Sequence, residues 1–348
     1  MAKKIIRNFL DRKKPFIIAE ISGNHGGSLK KMLKIVDAIA ETGADAIKLQ
    51  TFKPGSITLD SYSKEFLISD KNSKWNKLRL YDLYKKSQTP WNWHKTVFDK
   101  AKKLGLCAFS TPFDFSAVDF LEKLNVPLYK IASFENNHMP LIKYVASKKK
   151  PLIVSTGMAT LKEISEIVKV AKSNGCKNLT LLKCTSVYPA KIEESNILTI
   201  PNLKKKFKCN VGISDHSPGI GAAIAAIAHG ATVIEKHFTL DKKDNLVDSF
   251  FSLDPCEFKS LVKESNAAYN SLGKIYYGPT TNERKSLIFR RSIYVTQDVK
   301  KNEKITDKNI KIVRPAKGLE PKFYNKIINK KFKKNLKKNS PLSWSQIK

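Results

Sequence analysis

Over the first three quarters of the chain the apolar and polar positions repeat one unit: a short apolar run, a polar turn, then a stretch with apolar residues at helical spacing. The apolar runs are Phe16 to Glu20, Ala46 to Thr51, Cys107 to Thr111, Leu128 to Ser133, Leu152 to Thr156, Leu179 to Ser186, Val211 to His216 and Val233 to Phe238. Helical spacing covers Leu29 to Thr42, Thr89 to Leu104, Ala117 to Leu124, Leu161 to Asn174 and Gly219 to His229. Gly43, Gly105, Gly175 and Gly230 fall near the ends of these stretches, where a C-cap is needed. Strands alternating with helices imply a parallel sheet, and eight such units suggest closure, so the pattern predicts an α/β protein of the (β/α)8 TIM-barrel type. The alternative is an open doubly wound sheet, but no GxGxxG follows the first apolar run.

The rhythm stops between Gly273 and Arg290, where Gly278-Pro279 marks a turn. Beyond it, Ser292 to Thr296, the turn-rich Asp298 to Ile305 and Ile310 to Arg314 predict a small mixed domain with a lysine-rich tail. The expected organisation is a barrel domain over 1–275, a linker over 276–289 and a C-terminal domain over 290–348.

A chain of 348 residues, 41% of them hydrophobic, holds one large core plus an appendage. Cys107, Cys176, Cys184, Cys209 and Cys256 form no CxxC pair and no even disulfide pattern, so a reducing compartment and a cytoplasmic location are expected. Met1 to Leu10 is basic but lacks the apolar run and cleavage site of a signal peptide. The most apolar stretch, Ile220 to Ile234, is too short to span a bilayer and contains His229, so no membrane partner is expected. A net charge of +33 invites a nucleic-acid reading. Yet only seven basic residues are arginines (Arg7, Arg12, Arg79, Arg284, Arg290, Arg291, Arg314), and surfaces that clamp phosphates and read bases favour the bidentate Arg fork. The lysines run from Lys3 to Lys348, densest at 148–150, 204–208 and 330–338, with no RNA-binding motif among them. No nucleic-acid partner is therefore expected, although the positive field favours anionic substrates.

In such barrels the reactive side chains sit at the C-terminal ends of the strands. Here those ends supply Glu20; Lys48 and Gln50; Ser110 and Thr111; Lys130, Ser133 and Glu135; Ser155 and Thr156; Lys183 and Ser186; Ser214, Asp215 and His216; and Glu235, Lys236 and His237. Lys48 and Lys130 interrupt apolar strands, where a charge is costly to bury. The alternative for either alone is a lysine snorkelling past apolar neighbours. The two together, with the Ser and Thr hydroxyls of neighbouring strand ends, form an anion cradle. His216 and His237 end the seventh and eighth strands, barrel neighbours about 4.8 Å apart, so their imidazoles can converge on one cation, with Asp215 and Glu235 as outer partners. His25, His94, His138 and His229 have no comparable setting and are left structural or undecided, and Cys184, with no base nearby in sequence, reads as a packed thiol.

The strings Ala19-Glu20-Ile21 with Asn24-His25-Gly26, Lys48-Leu49-Gln50-Thr51, Tyr129-Lys130-Ile131-Ala132-Ser133, Ser155-Thr156-Gly157-Met158, Gly212-Ile213-Ser214-Asp215-His216 and Glu235-Lys236-His237-Phe238 fall in order on successive strand ends. In these the sequence resembles the sialic acid synthases, across nearly the whole chain. Arg291-Ser292-Ile293-Tyr294, Asp298-Val299-Lys300-Lys301 and Arg314-Pro315 resemble that family's antifreeze-like, SAF-type domain. Ser133-Phe134-Glu135, Lys183-Cys184-Thr185-Ser186 and the run from Asp248 to Asp254 are most similar to the branch that makes pseudaminic acid. N-acetylneuraminate and legionaminate synthases typically carry Gly-Pro-Asp-His where Leu246-Val247-Asp248-Ser249 stands and Asn where Ser186 stands.

The resemblance implies a transferase that condenses phosphoenolpyruvate with an acetamido sugar, 2,4-diacetamido-2,4,6-trideoxy-L-altrose, cleaving the C–O bond and releasing phosphate. It implies that His216 and His237 bind a divalent metal, Mn2+ or Mg2+, and that Glu20, Lys48 and Lys130 are catalytic. Thr111, Ser133, Ser155, Ser186 and Ser214 hold phosphoenolpyruvate with the lysines, and Gln50 belongs to the same substrate site. Glu135 and Asp248 orient the sugar beside Tyr188. Arg314 reaches the sugar from the partner subunit, which implies a domain-swapped homodimer. The alternatives are an N-acetylneuraminate or legionaminate synthase, a barrel aldolase with Lys130 as Schiff base, and a basic nucleic-acid-binding protein.

Overall fold

The computed structural model describes residue 9, residues 14–70 and residues 74–348. Of the basic start Met1 to Leu10 only Phe9 is among them, and Lys3, Arg7 and Arg12 lie outside the described residues. Eight strands close into a parallel barrel in sequence order, with β8 returning to β1. They are β1 (Phe16–Glu20), β2 (Ala46–Thr51), β3 (Cys107–Pro112), β4 (Tyr129–Ile131), β5 (Leu152–Ser155), β6 (Leu179–Cys184), β7 (Asn210–Asp215) and β8 (Val233–His237).

β1 and β2 have the expected bounds, and the others move by one or two residues at one end or both. β4 is the shortest because it pairs with β3 at a single position, Ser110 with Tyr129, and a tight turn over Ser133–Glu135 then carries the chain off the sheet. β7 stops before His216 because the Asp215 carboxylate accepts from the Ser217 amide, 2.9 Å away, and folds the chain back on itself.

The longer helices are α1 (Leu29–Thr42), α2 (Leu80–Ser87), α3 (His94–Lys103), α4 (Phe115–Lys123), α5 (Met139–Ser147), α6 (Leu161–Ser173), α7 (Thr199–Phe207), α8 (Gly221–Ala228) and α9 (Pro255–Ser271). Local chemistry sets their ends. Ser28 accepts from the Lys31 amide at the start of α1, and Gly43, at φ +81°, closes it. Thr160 with Glu163, and Asp254 with Glu257, form capping boxes on α6 and α9. α3 begins at His94 instead of Thr89, since Pro90 disfavours helical geometry in the residue before it and a turn over Trp91–Trp93 intervenes.

Alternation along the strands separates two cores. Ile17, Ala19, Ile47, Leu49, Tyr129, Val154, Leu181, Ile213 and Ile234 pack outward with the helices. Phe16, Ile18, Ala46, Phe109, Leu128, Ile153, Leu182 and Val233 fill the barrel with Phe9 and Cys107. The strands are thus buried on both faces, as parallel sheets require. The inward positions continue toward the C-terminal ends as Glu20, Lys48, Lys130, Ser155, Ser214 and Glu235, so the apolar plug is the floor on which a polar site rests.

The chain divides into two compact units, Met1–Gly273 and Lys274–Lys348. In the second, β9 (Ser292–Val295) pairs antiparallel with β10 (Ile310–Val313) over a small core of Ile293, Val299, Ile305, Phe332 and Leu342. Among the described residues no helix is long and apolar enough to cross a membrane.

Candidate active site

Four inward-facing strand ends bring their charges to one place. Lys48 Nζ lies 2.7 Å from Glu20 Oε2 and 3.1 Å from Glu235 Oε1. Lys130 Nζ donates to Ser155 Oγ at 2.6 Å and to the Ile131 carbonyl at 3.0 Å, and stands 3.8 Å from Glu235 Oε1. Ser214 Oγ donates to the same Glu235 oxygen at 3.0 Å. All of these side chains are buried. Glu235 is therefore the hub between the two lysines, which corrects its expected place as an outer partner of the histidines. Asp215 is corrected too: it pairs with Lys236 Nζ at 2.6 Å and with Ser217, because residues 215 and 236 occupy the opposite face of their strands from 214 and 235.

The two carboxylates feel this arrangement differently. Burial pushes Glu235 up, but Lys130 and Lys48 outweigh it and hold Glu235 at about 2. Burial raises Glu20 to about 7, because it outweighs Lys48 and the hydrogen bond from the Ser22 amide, while the charge on Glu235 adds to the rise. Burial also brings Lys130 down to about 8, against the pull of Glu235. One carboxylate is thus a fixed anion, and the other exchanges its proton near neutrality.

Beside the cradle the His216 and His237 ring centroids are 5.3 Å apart. His216 Nδ1 lies 3.0 Å from the Thr185 carbonyl, which fixes its proton there and leaves Nε2 with a free lone pair. His237 Nδ1 is buried without a hydrogen-bond partner. Two such nitrogens fit a divalent cation, and since no third His, Cys, Asp or Glu among the described residues joins a ligand group, further positions would fall to water or substrate oxygen. Cys184 Sγ is 3.8 Å from His216 Nδ1, so the expectation of no base nearby is corrected, although that nitrogen's proton is committed to Thr185.

Around these groups, Gly157 N donates to Ser133 Oγ at 3.2 Å, and a Cβ on Gly157 would stand 2.1 Å from Ser186 Oγ and 2.6 Å from Ser133 Oγ. Only glycine lets both hydroxyls reach this point. Thr111 Oγ1 and Glu135 Oε2 are buried without partners, and burial raises Glu135 to about 7. Gln50 is half-buried at the end of β2. Tyr188 packs 4.5 Å from the His216 ring and 5.2 Å from Phe251, forming an aromatic wall. Asp248 accepts from Ser22 Oγ and from the Gly23 amide at 3.2 Å, and burial keeps it above the ordinary carboxylate range. The Ser22 contact has no signal in sequence, where the two residues stand 226 positions apart. Lys183 is engaged with the Cys184 carbonyl at 3.0 Å and Thr185 Oγ1 at 3.2 Å. Arg314 belongs to the second unit, where it is exposed. His25, His94 and His138 make structural hydrogen bonds, to the Gly27 amide, Thr51 Oγ1 and the Leu141 amide respectively.

A closed (β/α)8 barrel with two buried lysines, a proton-exchanging carboxylate and a histidine pair at one mouth defines a class of barrel enzymes that act on anionic substrates. The chain belongs to the NeuB family, whose model matches residues 35–277, and a SAF domain model matches residues 290–348. It is 46% identical to a pseudaminic acid synthase of Campylobacter jejuni over 332 residues, covering 95% of this chain and 96% of that one. It is 37% identical to an N,N'-diacetyllegionaminic acid synthase of the same species, covering 94% and 98%. A crystal structure of N-acetylneuraminic acid synthetase from Leptospira borgpetersenii in complex with citrate is similar, with a TM-score of 0.71 and 30% identity over 79% of this chain and 91% of that one.

Proposed function

We propose that this chain is a pseudaminic acid synthase, joining phosphoenolpyruvate to 2,4-diacetamido-2,4,6-trideoxy-L-altrose. The observation that carries the reading is the convergence of Lys48, Lys130 and Glu20 beside His216 and His237, in a chain 46% identical to a protein of that name. Lys48 and Lys130 bind the carboxylate and phosphate of phosphoenolpyruvate, and Gln50, Thr111, Ser133, Ser155, Ser186 and Ser214 complete its hydrogen bonds. A divalent metal, Mn2+ or Mg2+, held by His216 and His237, would supply polarisation of the sugar's aldehyde. Glu135 and Asp248 orient the sugar against Tyr188, and Arg314 comes from the partner subunit of a homodimer in the cytoplasm.

C3 of the enol ether forms a bond to the aldehyde carbon, whose oxygen takes a proton to become a hydroxyl. Water adds at C2 and gives its proton to Glu20, which exchanges protons near neutrality. The C2 hydroxyl then passes its proton to the departing phosphate as the C2 carbonyl forms, and the bond from C2 to the bridging oxygen breaks, so phosphate leaves with that oxygen. The test is product identification by mass spectrometry and NMR, with phosphoenolpyruvate and a panel of acetamido sugars. The 6-deoxy diacetamido altrose should give the highest kcat/KM. Preference for N-acetylmannosamine, or for the sugar that yields legionaminate, would return the assignment to those branches.

A further inference from the structure

Ser22 follows β1 as the first residue of a tight turn over Ser22–His25. It is buried and adopts φ +48°, a left-handed conformation that disfavours any residue with a Cβ. A glycine would make this turn without strain, so the serine hydroxyl stands there against a local preference.

Two bonds leave the residue in different directions. Its amide donates to Glu20 Oε1 at 2.9 Å, and its hydroxyl donates to Asp248 Oδ2. The Gly23 amide reaches the same Asp248 oxygen at 3.2 Å, which leaves Oδ1 for a ligand. The segment carrying Asp248 is anchored to the same turn. Ser252 Oγ donates to the Asp248 carbonyl at 2.6 Å, and Asn24 Nδ2 donates to Ser252 Oγ at 2.9 Å and to the Phe238 carbonyl at 2.8 Å. One serine thus holds two carboxylates, Glu20 through its amide and Asp248 through its hydroxyl.

We infer that Ser22 is a positioning residue for sugar recognition: its hydroxyl sets the Asp248 carboxylate that receives the sugar, while its amide sets the Glu20 carboxylate that receives the proton of water. The inference rests on the reading of Asp248 as a sugar-orienting residue. Ser22→Gly removes the hydroxyl, relieves the backbone and keeps the amide.

Steady-state kinetics of Ser22→Gly, Ser22→Ala, Asp248→Asn and the Ser22→Gly/Asp248→Asn double variant test it, each with a thermal melt. Ser22→Gly should melt no lower than the wild type. Its KM for the sugar should rise roughly tenfold, the size of one hydrogen bond to a charged group, while KM for phosphoenolpyruvate and kcat stay within about twofold. Ser22→Ala should show the same split, and the double variant should be no worse toward the sugar than Asp248→Asn alone. An unchanged sugar KM in Ser22→Gly and Ser22→Ala, beside an impaired Asp248→Asn, overturns the role of Ser22 and leaves that of Asp248 standing. An unchanged sugar KM in Asp248→Asn overturns both. A parallel rise in KM for both substrates with a lowered melting temperature marks a structural serine and overturns the inference.

Discussion

Glu20 and Glu235 share the Lys48 ammonium, yet one sits at about 7 and the other at about 2. The difference lies in neighbours: Glu235 also has Lys130 and the Ser214 hydroxyl, whereas Glu20 has Lys48 and the repulsion of Glu235. A buried base at this level is protonated below neutrality and free above it. With Glu20 as base, kcat/KM should climb as the pH rises through about 7, because the deprotonated form is the one that accepts the proton of water. Glu20→Gln, which cannot take that proton, should lose roughly 100-fold or more in kcat, in line with general-base contributions, and should show no rise in that window. A wild-type rate in Glu20→Gln would assign the base elsewhere. The same neighbour logic explains why Asp215, adjacent to His216 in sequence, plays no part in the cradle: Lys236 neutralises it on the other face of the sheet.

At the level of elements, β7 and β8 lead to the histidine pair, and their contact depends on one glycine. A Cβ on Gly212 would stand 2.2 Å from the Val233 carbonyl oxygen and 2.7 Å from Leu182 Cδ2. Backbone cannot yield as a flexible side-chain tip does, so the strands themselves must part. Gly212→Ala should therefore lower stability by about 1–3 kcal/mol, the usual cost of forcing extra volume into a packed interior. Urea denaturation reads the stability, and titration of Mn2+ binding by electron paramagnetic resonance reads the consequence for His216 and His237, at the ends of the same strands. A variant with wild-type stability and metal affinity would show that the barrel absorbs the methyl group at no cost. The helices behave more locally: Ser28, Thr160 and Asp254 cap them with their own side chains, which is why α1 appears at its expected bounds.

For the whole molecule the proposed assembly makes a quantitative prediction. If Arg314 acts in the barrel of the partner subunit, a Glu20→Ala chain and an Arg314→Ala chain, each nearly inactive alone, will form mixed dimers with one doubly damaged site and one intact site. With random pairing half the dimers are mixed and half of their sites intact, so coexpression should return about a quarter of wild-type activity. Size-exclusion chromatography confirms the dimers. No recovery despite mixed dimers, with Arg314→Ala inactive by itself, would remove the arginine from the partner's site and leave the barrel chemistry unaffected. The positive field of 64 basic residues against 31 acidic ones accompanies this chemistry without requiring a nucleic-acid partner, since the substrates proposed here include a phosphorylated anion.

Much of this was legible along the chain. Two-residue alternation and helical spacing are local properties, so the strand count, the barrel class and the two lysines interrupting apolar strands could be read from the order of residues. The likeness to sialic acid synthases, carried by strings at successive strand ends, agrees with membership of the NeuB family and with the SAF domain. What sequence order left open was which charges meet. Glu235 faces Lys48 and Lys130 only because β8 closes on β1 and turns residue 235 inward, and Ser22 meets Asp248 only because a loop following the last strand returns to the turn after the first. Contacts of that kind depend on the register at which a sheet closes, and that register is set by the packing of all eight strands together, not by any one segment.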